Sequence, residues 1–309
     1  MSDEEPSWAS DTPLEQQAII KTSKNPLIPQ ISVIEDYNKE MYGIGSVQSI
    51  YSINNVVCIY TSDLTVRVFN NSKFIRQFIV PKPPASQFLF NENIYFFFST
   101  IIIQINIISG IQKTLKNTFG RVTYAKKVEE NAIIINGNNV SIIDIHQLRS
   151  ITDYKLRFSP SHSASSSSYV ISANNMDIHL INLKTQQKFS FTTTSIVTYI
   201  ETMGDILVIG TKSGMVDLYQ INNLNFDTKS IQPTRSYKNL TDPIKCISIQ
   251  PQGKYIFYSA GQQFRLISID KLEICAIRYM NLSSSKVIWK DNVVLLGKMD
   301  GRVMQIQID

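Results

Sequence analysis

A chain of 309 residues, 43% of them hydrophobic, holds enough apolar material for one large core or two modest ones. Its net charge of +5 is unevenly placed: in residues 1–30 Asp3, Glu4, Glu5, Asp11 and Glu15 face only Lys21 and Lys24, so an acidic tail precedes a basic body. Residues 1–8 are acidic and polar, unlike a secretory leader, and the most lipid-like stretch, residues 94–108, is short and broken by Ser99, Thr100, Gln104 and Asn106, so neither secretion nor membrane insertion is expected.

The tail comprises residues 1–29. Thr12, Pro13, Leu14 and Glu15 have the form of a capping box with proline at the first helical position, which predicts a short helix over residues 13–21, ended by Pro26 and Pro29. A helix that short is marginal alone and needs a surface to lie on. Trp8, set among Pro6, Ser7 and Ser10, either packs on the chain's own domain or anchors a partner.

From residue 30 to 309 strands and turns alternate with almost no helical period. The clearest unit is GTKSGMVDLYQI, residues 210–221, in which Lys212, Ser213 and Gly214 turn between two strands and Val216, Leu218, Tyr219 and Ile221 interleave with polar residues. It recurs as TSDLTVRVFN from Thr61, GNNVSIIDI from Gly137, ANNMDIHLINL from Ala173, GQQFRLISID from Gly261 and GKMDGRVMQIQID from Gly297. The residues that open the strand after this turn are Leu64, Ile101, Asn139, Met176, Gly214, Gln262 and Gly301. Their spacing is about 38 residues, with one wider interval where residues 222–242 insert a polar loop, and such a period marks a repeat with room for four short strands.

In the best copies the inner strands fall over residues 197–200 and 245–249, the second strands over 206–209 and 255–259, and the third strands after the template turn. Outer strands are predicted over 74–80, 111–115, 148–152, 188–192, 228–232 and 274–279. The last unit, residues 285–309, stops after three strands, and Ile31–Ile34, just ahead of the first inner strand, is placed to supply its fourth. That pairing closes a ring and leaves only short open edges. Units packed face to face bury both faces of every sheet, which accounts for continuous apolar runs such as IYFFFS and AIIING. The expected fold is all-β: a seven-bladed β-propeller over residues 30–309, its N-terminal strand closing the last blade, preceded by a short helix-containing tail.

Gln250, Pro251, Gln252, Gly253, Lys254 and Tyr255, and likewise Arg157, Phe158, Ser159 and Pro160, resemble the turn before the second strand of a WD40 repeat. Lys298, Met299, Asp300, Gly301, Arg302 and Val303 resemble that family's turn before the third. On these motifs residues 31–309 resemble a seven-bladed propeller of the WD40-repeat type. The chain departs from the pattern in that no repeat ends in Trp-Asp and none carries the Gly-His pair, so its blades must be held mainly by apolar packing. The resemblance implies docking on the face that bears the turns between second and third strands. That face would include Ser62, Asp63, Asn138, Asn174, Lys212, Ser213, Gln262, Lys298 and Asp300.

Reactive chemistry is sparse. Cys58, Cys246 and Cys275 lie in apolar strand-like runs without CxxC spacing or a histidine partner, and read as buried thiols of a reducing compartment, cytoplasm or nucleus. His146 and His179 each stand two residues after an aspartate, Asp144 and Asp177, where a strand would put both on one face; such a pair is structural unless a nucleophile joins it, and no GxSxG elbow does. Gly43 and Gly45 lack a third glycine, and Gly204 stands six residues before Gly210 where a phosphate loop needs five, so no nucleotide cofactor or metal is expected. Residues 159–168, SPSHSASSSS, read as a mobile surface loop in a turn of the fourth unit whose serines suit phosphorylation, and residues 81–84, PKPP, as a stiff connector.

Two functions remain. A rigid ring with variable loops suits a non-enzymatic scaffold for other proteins, a monomeric subunit within a larger intracellular complex. The alternative is RNA or ribonucleoprotein binding by cations on or near turns, namely Lys126, Lys127, Lys212, Arg235, Lys238, Lys286, Lys290, Lys298 and Arg302, although no dense run with interleaved aromatics supports it. An enzyme using the central channel ranks last, because the inner strands show mostly Ser, Thr and Tyr.

Overall fold

Seven four-stranded antiparallel sheets follow one another along the chain. The computed structural model describes residues 31–34, 44–224, 231–238, 242–279 and 284–308; the predicted tail helix and Trp8 lie outside the described residues. Strand β1 is Ile31–Ile34. Blade 1 is β2 (Val47–Ile53), β3 (Val56–Thr61), β4 (Thr65–Asn70) and β5 (Lys73–Ile79). Blade 2 is β6 (Ser86–Phe90), β7 (Asn93–Phe97), β8 (Ile101–Asn106) and β9 (Gln112–Lys116). Blade 3 is β10 (Tyr124–Val128), β11 (Asn131–Asn136), β12 (Asn139–Asp144) and β13 (Arg149–Lys155). Blade 4 is β14 (His162–Ser165), β15 (Tyr169–Asn174), β16 (Asp177–Asn182) and β17 (Lys188–Thr192). Blade 5 is β18 (Val197–Met203), β19 (Ile206–Thr211), β20 (Met215–Gln220) and β21 (Arg235–Lys238), with a single 3₁₀ turn at Ile221–Asn223. Blade 6 is β22 (Ile244–Ile249), β23 (Tyr255–Ala260), β24 (Gln263–Ser268) and β25 (Glu273–Tyr279). Blade 7 is β26 (Ser284–Lys290), β27 (Val293–Lys298) and β28 (Val303–Ile308), with β1 antiparallel to β28 in the fourth place. The protein is thus an all-β, seven-bladed propeller.

The strands form where they do because successive side chains point to opposite faces and both faces find a neighbour. In β3, Val56, Cys58 and Tyr60 pack toward blade 2 against Ile94, Phe96 and Ile103, while Val57 and Ile59 pack toward blade 7 against Leu295 and Val303. Strand β27 keeps the same parity: its second and fourth residues, Val294 and Leu296, join Phe257 and Phe264 of the preceding blade 6, and Leu295 turns to blade 1. Among the described residues seven such clusters run around the ring, each shared by two adjacent blades. Second strands are accordingly buried almost throughout, and outer strands such as β5 and β13 are largely exposed. Burying one such Val, Ile or Phe contributes about 1.5–3 kcal/mol, so the clusters outweigh any hydrogen bond a Trp-Asp pair would add.

Three sequence expectations need correction. The serine-rich stretch of residues 159–168 is no surface loop: its centre is β14, the innermost strand of blade 4, with Ala164, Ser165 and Ser166 buried. Seven inner strands converge at the ring axis, where small side chains fit, and the polar groups are satisfied there: Ser165 Oγ lies 3.0 Å from the Tyr124 hydroxyl and Ser166 Oγ donates to the Gly204 carbonyl at 3.2 Å. Arg157 to Pro160 therefore precede a first strand rather than a second. The outer strand of blade 5 is β21, not residues 228–232, because its register sets Lys238 opposite Met215 and lets Tyr237 enter the cluster between blades 5 and 6; Ile231 and Gln232 are outside any strand.

Two expectations test this packing. An added Cβ at Gly210 would lie 2.5 Å from Ile244 Cγ2, in the seam between blades 5 and 6, whereas at Gly137, with φ of 58°, nothing lies within 4 Å. Gly210→Ala should therefore lower urea-unfolding stability by about 1–3 kcal/mol, and Gly137→Asn, whose side chain tolerates positive φ, by less than about 1 kcal/mol. That β1 latches the ring is a separate proposal. If it does, deleting residues 30–40 lowers the thermal midpoint by at least about 4 °C; an unchanged midpoint would mean that the apolar cluster between blades 7 and 1 closes the ring alone.

Candidate functional site

The second strand of every blade ends in the turn used as the template, and backbone hydrogen bonds fasten these turns to the connectors that lead into the inner strands. Ser62 N–H donates to the Ser46 carbonyl at 2.9 Å, Lys212 N–H to that of Ile196 at 2.7 Å, and Val197 N–H to that of Asn175 in the preceding blade at 2.8 Å. Turns and connectors therefore share one face of the ring. Of the residues predicted for it, Ser62, Lys212, Ser213, Gln262 and Asp300 are exposed, and Asp63, Asn138 and Asn174 are half-buried. Lys298 is the last residue of β27 and only 9% exposed, a poorer contact than its position in the motif suggested.

The two aspartates of this set shape their own turns. Asp63 accepts from Thr61 Oγ1 at 2.6 Å and Thr65 N–H at 3.1 Å, and pairs with Arg67 at 2.8 Å. Burial works to raise its pKa, but the hydrogen bonds from Arg67, Thr61 and Thr65 outweigh that and hold the carboxyl below the usual aspartate value. Asp300 repeats the device at the rim of blade 7: burial opposes, and Arg302, which donates from Nε at 2.7 Å and from its backbone at 3.2 Å, prevails.

Large apolar side chains stand exposed between these polar ones. Ile44, Met176, Ile196 and Met299 occupy turns or connectors of the face, and Ile79 and Tyr279 end outer strands that run toward it; they are 39–71% exposed. Met176 and Ile196 belong to segments joined by the Asn175–Val197 hydrogen bond, so they flank one seam between blades 4 and 5. Turn residues are ordinarily polar, and solvent-facing isoleucine and methionine carry a hydration cost that a partner surface removes. The prediction missed them, although Ile44 between Gly43 and Gly45, and Met299 between Lys298 and Asp300, break the polar turn pattern visibly.

At the axis the same face opens into a cavity of about 420 Å³ lined by β10, β14, β18 and β26. Lys126 and Glu201 pair across it at 2.7 Å. Burial works to lower the lysine pKa, but the charge of Glu201, aided by Tyr124, outweighs it and holds the ammonium above the ordinary lysine range. Tyr199 is raised well above its usual value by burial, and His162 is lowered by burial, so its imidazole is neutral at physiological pH. Lys286 completes the wall. The expectation of an inner ring of Ser, Thr and Tyr is thus incomplete, and Lys126 and Lys127 lie in strand β10 rather than in turns.

The remaining candidates are structural. Asp144 Oδ1 accepts the backbone N–H groups of His146 and Gln147 at 2.8 and 2.9 Å, closing a turn, and His179 is buried with its pKa lowered by desolvation. Cys58 and Cys275 are unpaired thiols that burial pushes up to about 12 and about 11, which makes them poor nucleophiles. No helix of the described residues is long and apolar enough to cross a membrane.

The architecture defines a class, the seven-bladed β-propeller, and solved structures agree. The chain is similar to the WD40 β-propeller domain of Doa1, with a TM-score of 0.68 and 15% identity over 86% of this chain and 95% of that one. It is also similar to the computationally designed Ika8 protein, with a TM-score of 0.66 and 14% identity over 89% and 98%. At such identities the likeness is one of fold. No family model matches the sequence, and no curated protein matches it.

The carboxylate of Asp63 has a pH signature. A depressed folded pKa contributes stability that is present above the unfolded aspartate value and is lost as the pH falls through the folded one. Asp63→Asn should therefore cost about 1–2 kcal/mol at neutral pH, and the difference from wild type should shrink in denaturant titrations run below the ordinary aspartate range.

Proposed function

We propose that this protein is a non-enzymatic interaction platform that docks other proteins on the face carrying the turns between second and third strands, as a monomeric subunit of a larger complex in the cytoplasm or nucleus. The observation that carries the reading is the set of exposed apolar side chains at Ile44, Met176, Ile196 and Met299, interleaved with Ser62, Lys212, Ser213, Gln262 and Asp300. Apolar anchors within a polar rim have the composition of a protein interface. Free buried thiols are in keeping with a reducing compartment. The propeller fold supports this reading through its rigid strands and variable turns. RNA is less well served: Lys126 is committed to Glu201, and Lys127 lies over the Phe90 ring at 5.2 Å.

The test compares faces. Met176→Asp with Ile196→Asp should leave the fold intact yet cut recovery of the wild-type partners in quantitative affinity purification by about tenfold. Ile108→Asp with Ile111→Asp, at the turn between third and fourth strands on the opposite side, should leave recovery unchanged. Equal recovery by both variants would remove this face from consideration.

A further inference from the structure

Among the described residues, the mouth of the central channel holds one more positive charge than negative: Lys126 and Lys286 against Glu201. Register places Tyr124, His162, Tyr199 and Lys286 at one level around the axis, opposite Ile135, Ala173, Gly210 and Gly297, the next-to-last residue of each second strand. Two residues further in, Lys126 and Glu201 neutralise each other at 2.7 Å. Lys286 makes no ion pair or hydrogen bond among the described residues, yet it is half-buried in the cavity wall. A half-buried ammonium without a counter-charge is a place where an oxyanion gains a charge-assisted hydrogen bond. Ser163 and the neutral imidazole of His162 add donors around the same space, bordered by the Tyr124 hydroxyl that is shared with Ser165. A volume of about 420 Å³ is in the range of small-molecule sites.

We propose that the channel mouth binds a small organic anion through its phosphate or carboxylate oxygens, with Lys286 as the anchoring cation and Lys126, held by Glu201, on the opposite wall. A cation is disfavoured by the net charge of the three groups, and an apolar ligand would leave Lys286 unsolvated. Glu201 limits the site to one excess positive charge, which suits a compact anion rather than a polyanionic chain.

Pyrophosphate and citrate, titrated calorimetrically into the full chain at low ionic strength, separate the two oxygen chemistries. At least one should bind at a single site with Kd below about 1 mM, and the tighter of the two assigns the headgroup. Lys286→Met should weaken binding by about tenfold with unchanged circular dichroism and thermal midpoint. Glu201→Gln, which frees the Lys126 charge, should tighten it several-fold, a gain that no folding defect produces. Lys212→Met, on an exposed turn, should leave it unchanged. The proposal is overturned by absence of saturable heat to about 10 mM of either probe, by Lys286→Met titrating like wild type, or by Lys212→Met losing as much as Lys286→Met, which is diffuse surface attraction.

Discussion

Every sheet of this ring is clamped between two others, so its middle strands have to be apolar on both faces. Val57 and Ile59 serve one seam and Val56, Cys58 and Tyr60 the next, within a single strand of blade 1. The same parity operates in all seven blades and carries the packing from blade 7 back to blade 1 through Val47, Ile50, Leu295 and Val303. Apolar area removed from water in these seams is the dominant favourable contribution, and it is distributed evenly enough that no Trp-Asp hydrogen-bond network is needed to hold the blades.

That distribution frees the turns and constrains the axis. On the rim, Asp63 and Asp300 set turn shape with local hydrogen bonds, while Ile44, Met176, Ile196 and Met299 remain uncovered. At the axis seven inner strands crowd together: β14 contributes small side chains, Lys126 and Glu201 neutralise each other, and Lys286 stands in the same cavity wall with no ion pair among the described residues. The exposed rim and the charged channel mouth share one face because each inner strand begins where the template turn is fastened by backbone hydrogen bonds. A protein docked on the rim and an anion in the channel would therefore be neighbours, which gives the two proposed sites a common geometry.

Local patterns made most of the fold legible. Glycine and polar turns followed by alternating apolar residues, as in Gly214, Val216 and Leu218, specify a hairpin within a dozen residues, and their recurrence specifies the repeat. Reading failed where tertiary surroundings reverse the local signal. Residues 162–165, His-Ser-Ala-Ser, have no apolar alternation, and they form a strand only because β15 offers a register partner and the axis accepts small side chains. Residues 228–232 read as the outer strand of blade 5, yet Arg235–Lys238 forms it, because Tyr237 fills the seam beside Ile256 and Tyr258, a contact that nothing local announces.

The candidate site divides along the same line. The sequence by itself determined the period, the strand parity and the turn residues that rim one face, since each depends on chain neighbours no more than a few residues apart. Only the tertiary structure decided that Lys126 meets Glu201, 75 residues away, that Lys286 shares their cavity, and that Ile44, Met176, Ile196 and Met299 stand uncovered on the same side. Those relations depend on how many blades close the ring and where their inner edges converge, a global geometry that no single repeat encodes.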